Sequence, residues 1–288
     1  MNGPMEQNER LFCWEQVQAA NPLFRISRVF AAEGQAGRLL PLYALFAALE
    51  RLCSNRSDVE VARRKLEWWR GECLHGEFER SAHPVLKEFV ASGAIRSVDS
   101  NLLVPLFDSV DARLDAQPTA DFAALEQLCR SVAEPQLALE LAVCAGPDAP
   151  ASAALAAHLP HVGLAQLLRE SARSAQDGRF WWLPLNLLAR HGISRAQLEQ
   201  DPDAAAGRAL FSDILDCAQR WGEAAAQANT GREIRPAAQH FVVSSQLQGC
   251  ALHRLHETRP TRYASALTRV GARELLQAWR AARRLSRP

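Results

Sequence analysis

The stretch His161–Ser194, HVGLAQLLRESARSAQDGRFWWLPLNLLARHGIS, decides how the rest of the chain is read. Leu164, Leu167, Leu168 and Ala172 recur at the spacing of one helical face, and Gln166, Arg169, Glu170, Arg173 and Ser174 gather on the neighbouring face. This helix is expected to fray near Asp177-Gly178. Beyond it, Trp181-Trp182-Leu183-Pro184 forms a bulky apolar hinge. Pro184 suits the first turn of a second short helix, LPLNLLARHG, which Gly192 would close.

The composition around this block is that of a helical protein. At 288 residues with 48% hydrophobic content, the chain can bury a full single-domain core. Residues 1–12 are polar and expected to be a flexible tail, leaving 13–288 as the domain. The apolar residues are mostly Ala and Leu, and no sustained alternating run of β-branched residues occurs, so the fold class is all-α. A net charge of +1 excludes a dedicated nucleic-acid binder, which needs a concentrated basic surface. Cys13, Cys53, Cys73, Cys129, Cys144, Cys217 and Cys250 are scattered, odd in number and never in a C-x-x-C pair. They argue against a disulfide scaffold or zinc ribbon and for a reducing cytoplasm. No run of eighteen or so apolar residues is present, so a membrane span is not expected.

Towards the N-terminus, Glu15–Phe30 reads as a helix broken at Asn21-Pro22. After FRISRVF comes LLPLYALFAALE, opening a more apolar helix that runs to about Asn55. That helix ends in Glu50-Arg51-Leu52-Cys53-Ser54, and the opening block contains Glu170-Ser171-Ala172-Arg173-Ser174; each places Glu and, one turn later, Ser on a single helix face. Asp58–Phe78, DVEVARRKLEWWRGECLHGEF, is an amphipathic helix with Ser57-Asp58 at its start, tryptophans read as packing groups, and His83-Pro84-Val85 after it. Two short helices follow over Leu86–Leu114, joined near Ser92-Gly93, with Asp108, Asp111 and Asp115 read as surface acids. Thr119 and Asp121 precede a helix over Phe122–Cys144 that contains LELAVCAG. On the C-terminal side come helices over Asp203–Thr230, Arg235–Glu257 and Arg262–Arg284, the last carrying RELLQAWRAARR.

From Asn21 to Arg284 these segments, in this order, resemble squalene/phytoene synthases. In that family a Ser-Arg pair precedes an L-Y-A-F helix, a KL-x-x-W-R core precedes an HP-V turn, and a metal-binding helix is followed by GR, an aromatic, LP and R-x-G-x-S. The resemblance implies the all-α isoprenoid-synthase fold, a single helical bundle around a central cavity. It places Ser27, Arg28, Gln166 and Arg169 where relatives bind a substrate diphosphate, for which an arginine fork is well suited. Family members carry D-D-x-x-D and D-x-x-x-D on two facing helices; their oxygens hold Mg²⁺, which assists departure of the diphosphate. Here those positions are Glu50 with Ser54, and Glu170 with Ser174. The two aromatic positions of the family's Y-x-Y-R-V-A-G run fall at Glu140 and Ala142.

One carboxylate per helix, flanked by Arg51, Arg169 and Arg173, makes a poor Mg²⁺ cage. The expected function is therefore that of a divergent family member that lacks Mg²⁺-dependent condensation of prenyl diphosphates and binds an isoprenoid or a protein partner. Two alternatives stand beside it. One is an active prenyltransferase with Glu50 and Glu170 as residual catalytic and metal-binding carboxylates and Mg²⁺ as cofactor. The other is a scaffold like the respiratory-complex assembly factors found among the non-catalytic relatives. The expected contacts are a prenyl diphosphate or isoprenoid ligand, a protein partner, and a membrane surface touched by the Arg-rich C-terminal helix of an otherwise cytoplasmic protein. His158-x-x-His161 and Cys250-x-x-His253-x-x-His256 have spacings that could gather metal ligands, but no remaining ligand set accompanies them, and they are read as satisfied histidines. No P-loop or Rossmann glycine pattern occurs, and no Ser-His-Asp arrangement is legible in one dimension, although triads assemble in space.

Overall fold

Helical periodicity in the sequence becomes helix throughout a computed structural model that describes residues 4–54, 58–74, 78, 80–149, 151–174, 179–228, 235–269 and 271–286. The helices are α1 (Pro4–Ala20), α2 (Phe24–Ser27), α3 (Gln35–Ser54), α4 (Val59–Leu74), α5 (Pro84–Ala91), α6 (Ser100–Asp115), α7 (Phe122–Ala145) and α8 (Ala153–Ala156). They continue as α9 (Leu159–Arg173), α10 (Leu185–Arg190), α11 (Arg195–Gln200), α12 (Ala205–Gln227), α13 (Arg235–Leu255), α14 (Tyr263–Thr268) and α15 (Ala272–Ser286). The described residues contain no strand.

Helix α9 is the axis of the bundle. Every residue from Leu159 to Ser171 is buried, including Gln166, Arg169 and Glu170, whose side of the helix meets protein on α3, α6 and α7. Its closest neighbour is α7, and Gly163 permits that approach: a Cβ there would lie 2.0 Å from the Cys129 carbonyl oxygen. One large core surrounds α9, α12 and α13, while a second joins α1, α3, α4, α5 and α6.

The hinge behaves as its residues dictate. Trp182 is fully buried, and its Nε1–H donates to Ser171 Oγ at 2.8 Å while Thr119 Oγ donates to the Trp182 carbonyl at 2.8 Å. Pro184 caps α10, and Gly192 adopts the positive φ of +60° that the turn after it needs. Asp121 caps α7 by accepting from Ala124 N at 2.9 Å, and Asp58 caps α4 by accepting from Val61 N at 2.9 Å. The expected fraying at Asp177-Gly178, and the Ser57 part of the α4 start, lie outside the described residues.

Within the expected 1–12 tail the chain is helical from Pro4 onward, and α1 docks on α5: Glu9 pairs with Lys87 at 3.6 Å and Phe12 meets the His83 ring edge-on at 5.9 Å. The single helix expected over Arg262–Arg284 is broken into α14 and α15. Arg254 reaches into the break and donates to the Ala266 and Arg269 carbonyls, at 3.0 and 3.2 Å, and Glu274 accepts from Gly271 N at 2.8 Å.

Candidate functional site

The carboxylates singled out by their spacing do meet at the centre of the bundle, and each arrives with a guanidinium. Glu50, on α3, receives Arg173 Nη2 at 2.7 Å and Arg169 Nη2 at 3.7 Å, both from α9. Glu170 accepts a short hydrogen bond from Arg113 Nη1 on α6, in a pair whose side chains are 2% and 5% exposed. Gln166 Nε2 donates to the same Glu170 oxygen at 3.3 Å, and Gln136 of α7 donates to Gln166 Oε1 at 2.7 Å. Three guanidiniums thus face two carboxylates, leaving the cluster with one positive charge in excess.

Burial explains the pairing, since an ionised group removed from water must find an opposite charge or lose its own. It pushes Glu170 above the usual carboxylate range, with Arg113 opposing the rise. It also pulls Arg169 below its ordinary value, with Glu50 opposing. The two serines bring no ligand to the carboxylates: Ser54 Oγ donates back to the Glu50 carbonyl at 3.0 Å, and Ser174, at the end of α9, is buried with its hydroxyl unpaired. Mg²⁺ does not fit this donor set. A cation would need hard oxygens, and those of Glu50 are taken by two arginines, one oxygen of Glu170 is taken by Arg113 and Gln166, and the cluster already carries surplus positive charge.

Glu140, at a position expected to face the cavity, organises a second buried network. Tyr43 OH donates to Glu140 Oε2 at 2.7 Å, and His240 Nδ1 lies 2.6 Å from Glu140 Oε1. The opposite ring nitrogen, His240 Nε2, lies 3.0 Å from Ser27 Oγ. With Nδ1–H donated to the carboxylate, Nε2 accepts from the serine hydroxyl. The order of groups is that of a nucleophilic triad. Ser27 and His240 are both 0% exposed, however, and Ser27 sits within the α2 turn, so the relay locks α2, α7 and α13 together. Burial and Glu140 also push the Tyr43 hydroxyl well above its ordinary value.

The remaining expected residues separate from this centre. Arg28 stacks on Trp14, 4.7 Å from the ring centroid, and makes no ion pair with the carboxylate cluster among the described residues. Ala142 is buried in α7 and offers no side-chain hydrogen bond. His158 Nδ1 and His161 Nε2 share Ser245 Oγ at 2.6 and 2.7 Å, and burial lowers their pKa values to about 4 and about 3. They are neutral core histidines, His161 with its Nδ1 left without a partner. Among the described residues no group of three or more His, Cys, Asp or Glu side chains is disposed to hold a metal ion.

Arg113, Gln136 and His240 escaped the sequence reading, although two left a signal. Arg113 falls on the buried stripe of α6 formed by Leu103, Leu106, Phe107, Val110 and Leu114, and His240 falls beside Phe241 and Ser244 on the inner side of α13. A charged or titratable residue on an apolar stripe requires a buried partner. Among the described residues, one space between α3, α7, α9 and α13 measures about 20 Å³, bordered by Tyr43, Glu50, Glu140, Arg169, Phe241 and Gln248 among others. By that measure it is room for roughly one water molecule.

The sequence matches the squalene/phytoene synthase family over residues 20–284. The chain belongs to that family. No curated protein matches it. Among solved structures, a dehydrosqualene synthase in complex with a ligand superposes with a TM-score of 0.69 at 15% identity, covering 97% of this chain and 96% of that one. Squalene synthase HpnC from Alicyclobacillus acidocaldarius gives 0.63 at 13% identity, covering 89% and 96%. At these identities the likeness carries the fold, which is the all-α isoprenoid-synthase fold expected from the sequence. The residues that the sequence resemblance sets against the family's acidic motifs lie on α3 and α9, and of these Glu50 and Glu170 are arginine-paired.

Proposed function

We propose that this chain is a squalene/phytoene synthase-family protein that does not perform the Mg²⁺-dependent condensation of prenyl diphosphates and instead binds a partner at a membrane surface. The observation that carries the reading is the pairing of both surviving motif carboxylates with guanidiniums, Glu50 with Arg169 and Arg173 and Glu170 with Arg113. Internal cations occupy these carboxylates, and the space that Glu50, Glu140 and Arg169 border, about 20 Å³, is too small for a prenyl chain. The filled centre favours the scaffold form of the idea over an isoprenoid held inside the bundle.

Helix α15 supports the membrane part. Leu275, Leu276 and Trp279 are 54%, 45% and 47% exposed on one side of it, with Arg273, Arg280 and Arg283 exposed around them. Glu274, the helix's one acid, is turned inward onto Arg254. Apolar groups with flanking arginines and no outward carboxylate suit an anionic lipid surface. No described helix is long and apolar enough to cross a membrane.

The deciding experiment incubates the purified protein with farnesyl or geranylgeranyl diphosphate across Mg²⁺ concentrations and follows pyrophosphate. Release at background level is expected, and release at the rate of an active synthase would overturn the reading. Vesicle flotation tests the lipid contact: binding to phosphatidylglycerol vesicles should exceed binding to phosphatidylcholine and be lost in a Leu275→Ser, Trp279→Ser variant. Equal flotation of that variant would remove α15 from the proposal.

A further inference from the structure

Helix α3 has two working faces. Tyr43, Ala47 and Glu50 turn to the closed centre, whereas Ala48, Arg51 and Leu52 form one wall of a groove shared with α1, α4 and α5. The groove encloses about 590 Å³, within the range of about 300–1,000 Å³ usual for small-molecule sites. Buried Leu52, Ala62, Trp69 and Val85 give it an apolar lining. Trp69 is fixed edge-on against His83, with ring centroids 4.7 Å apart, so the wall is preformed.

The charges on this groove are unlike those at the centre. Arg51 and Lys65 are exposed at its edge, and neither makes an ion pair among the described residues. Burial and the neighbouring Arg173 both pull Arg51 below its ordinary value, with Glu50 opposing. Asp58 is the groove's one carboxylate, and it already caps α4 through Val61 N. His83 accepts from Val85 N through Nδ1 at 3.2 Å and burial lowers its pKa, so the neutral ring keeps its proton on Nε2 as a donor. A preformed apolar trough edged by unpaired cations and donors matches a molecule with an apolar chain and an anionic head.

We infer that this groove is a binding site for a single-chain amphiphile with a carboxylate or phosphate-monoester head. The chain lies along Leu52, Ala62, Trp69 and Val85, and Arg51 and Lys65 hold the head. Arg51 and Leu52 belong to the motif stretch Glu50–Ser54 but border the groove and not the central space that Glu50 borders, so the site is distinct from the one at which a prenyl diphosphate would be turned over.

Calorimetric titration of the full chain with dodecyl phosphate, kept below its micelle-forming concentration, tests the assignment. Saturable one-to-one binding is expected. An Arg51→Gln, Lys65→Gln variant should bind about ten-fold or more weakly, the loss of roughly one charge-assisted contact. Ala48→Trp, which fills the trough, should abolish binding. Dodecanol, with the same chain and no charge, should bind at least about ten-fold more weakly, and inorganic phosphate should give no measurable heat. The proposal is overturned by any of four results: no saturable binding, undiminished binding in the charge variant, dodecanol binding as tightly as dodecyl phosphate, or inorganic phosphate doing so. Both residues of the charge variant are exposed, so that arm decides even if Ala48→Trp fails to fold.

Discussion

The closed centre and the outer groove share helix α3 and differ in how their charges are balanced. In the centre, the carboxylates are buried and each has an internal partner: Glu50 with Arg169 and Arg173, Glu170 with Arg113, Glu140 with Tyr43 and His240. In the groove, Arg51 and Lys65 are exposed and make no ion pair among the described residues. The lesson is that the same residue types mean different things at different depths. A buried guanidinium beside a carboxylate is committed to the fold, while an exposed one over an apolar trough is available to a ligand.

The sharpest way to break this comparison is to remove one buried partner. Arg113→Ala strands Glu170 in the core and should destabilise the protein by about 3–5 kcal/mol in urea unfolding, whereas Arg113→Leu with Glu170→Leu should recover most of that loss. If the single variant unfolds like the parent, the centre is wetter than described and the contrast fails.

The histidine pair probes the same dry interior through pH. In the unfolded chain His158 and His161 take up protons near the ordinary value of 6.5, but the folded protein holds them off until about 4 and about 3. Their folded values are depressed, so the stability they contribute is fully present above about pH 6.5 and is lost as pH falls towards 3. The loss should reach a few kcal/mol, given about 1.4 kcal/mol for each tenfold change in proton affinity. Unfolding midpoints measured from pH 7.5 down to 4 should show the decline, and His161→Gln should flatten it.

Gly163→Ala places a methyl group against the Cys129 carbonyl and forces α7 and α9 apart, with an expected cost of about 1–3 kcal/mol or more. A melting temperature equal to the parent's would show that the axis of the bundle yields freely. At the other end of the scale, Arg51→Gln with Lys65→Gln should shift stability by no more than about 0.5 kcal/mol, because both side chains are exposed and unpaired. A larger loss would mean that the groove cations serve the fold, as the central ones do.

Much of the fold was legible in the sequence. The 3.6-residue spacing of Leu and Ala, the hinge before Pro184 and the glycine at 192 act through nearest neighbours, so α9, the hinge and α10 follow from local pattern. That Gln166, Arg169 and Glu170 share one side of α9 also follows from local spacing, whereas Glu50 comes to them from α3 only through packing. The roles of Ser27 and Arg28 did not separate until folding sent one into the His240 relay and the other onto Trp14. Likewise, α15 reads continuously with α14 until Arg254, from another helix, takes the carbonyls at the break.

The sequence by itself determined the family, the helical class and the absence of the aspartate pairs, because these are properties of residue identity and spacing along the chain. Only the tertiary structure decided what the surviving carboxylates do. Arg113 stands 57 positions from Glu170, and His240 stands 100 from Glu140. No local pattern links such residues, and only the exclusion of water where their helices pack makes each pair obligatory.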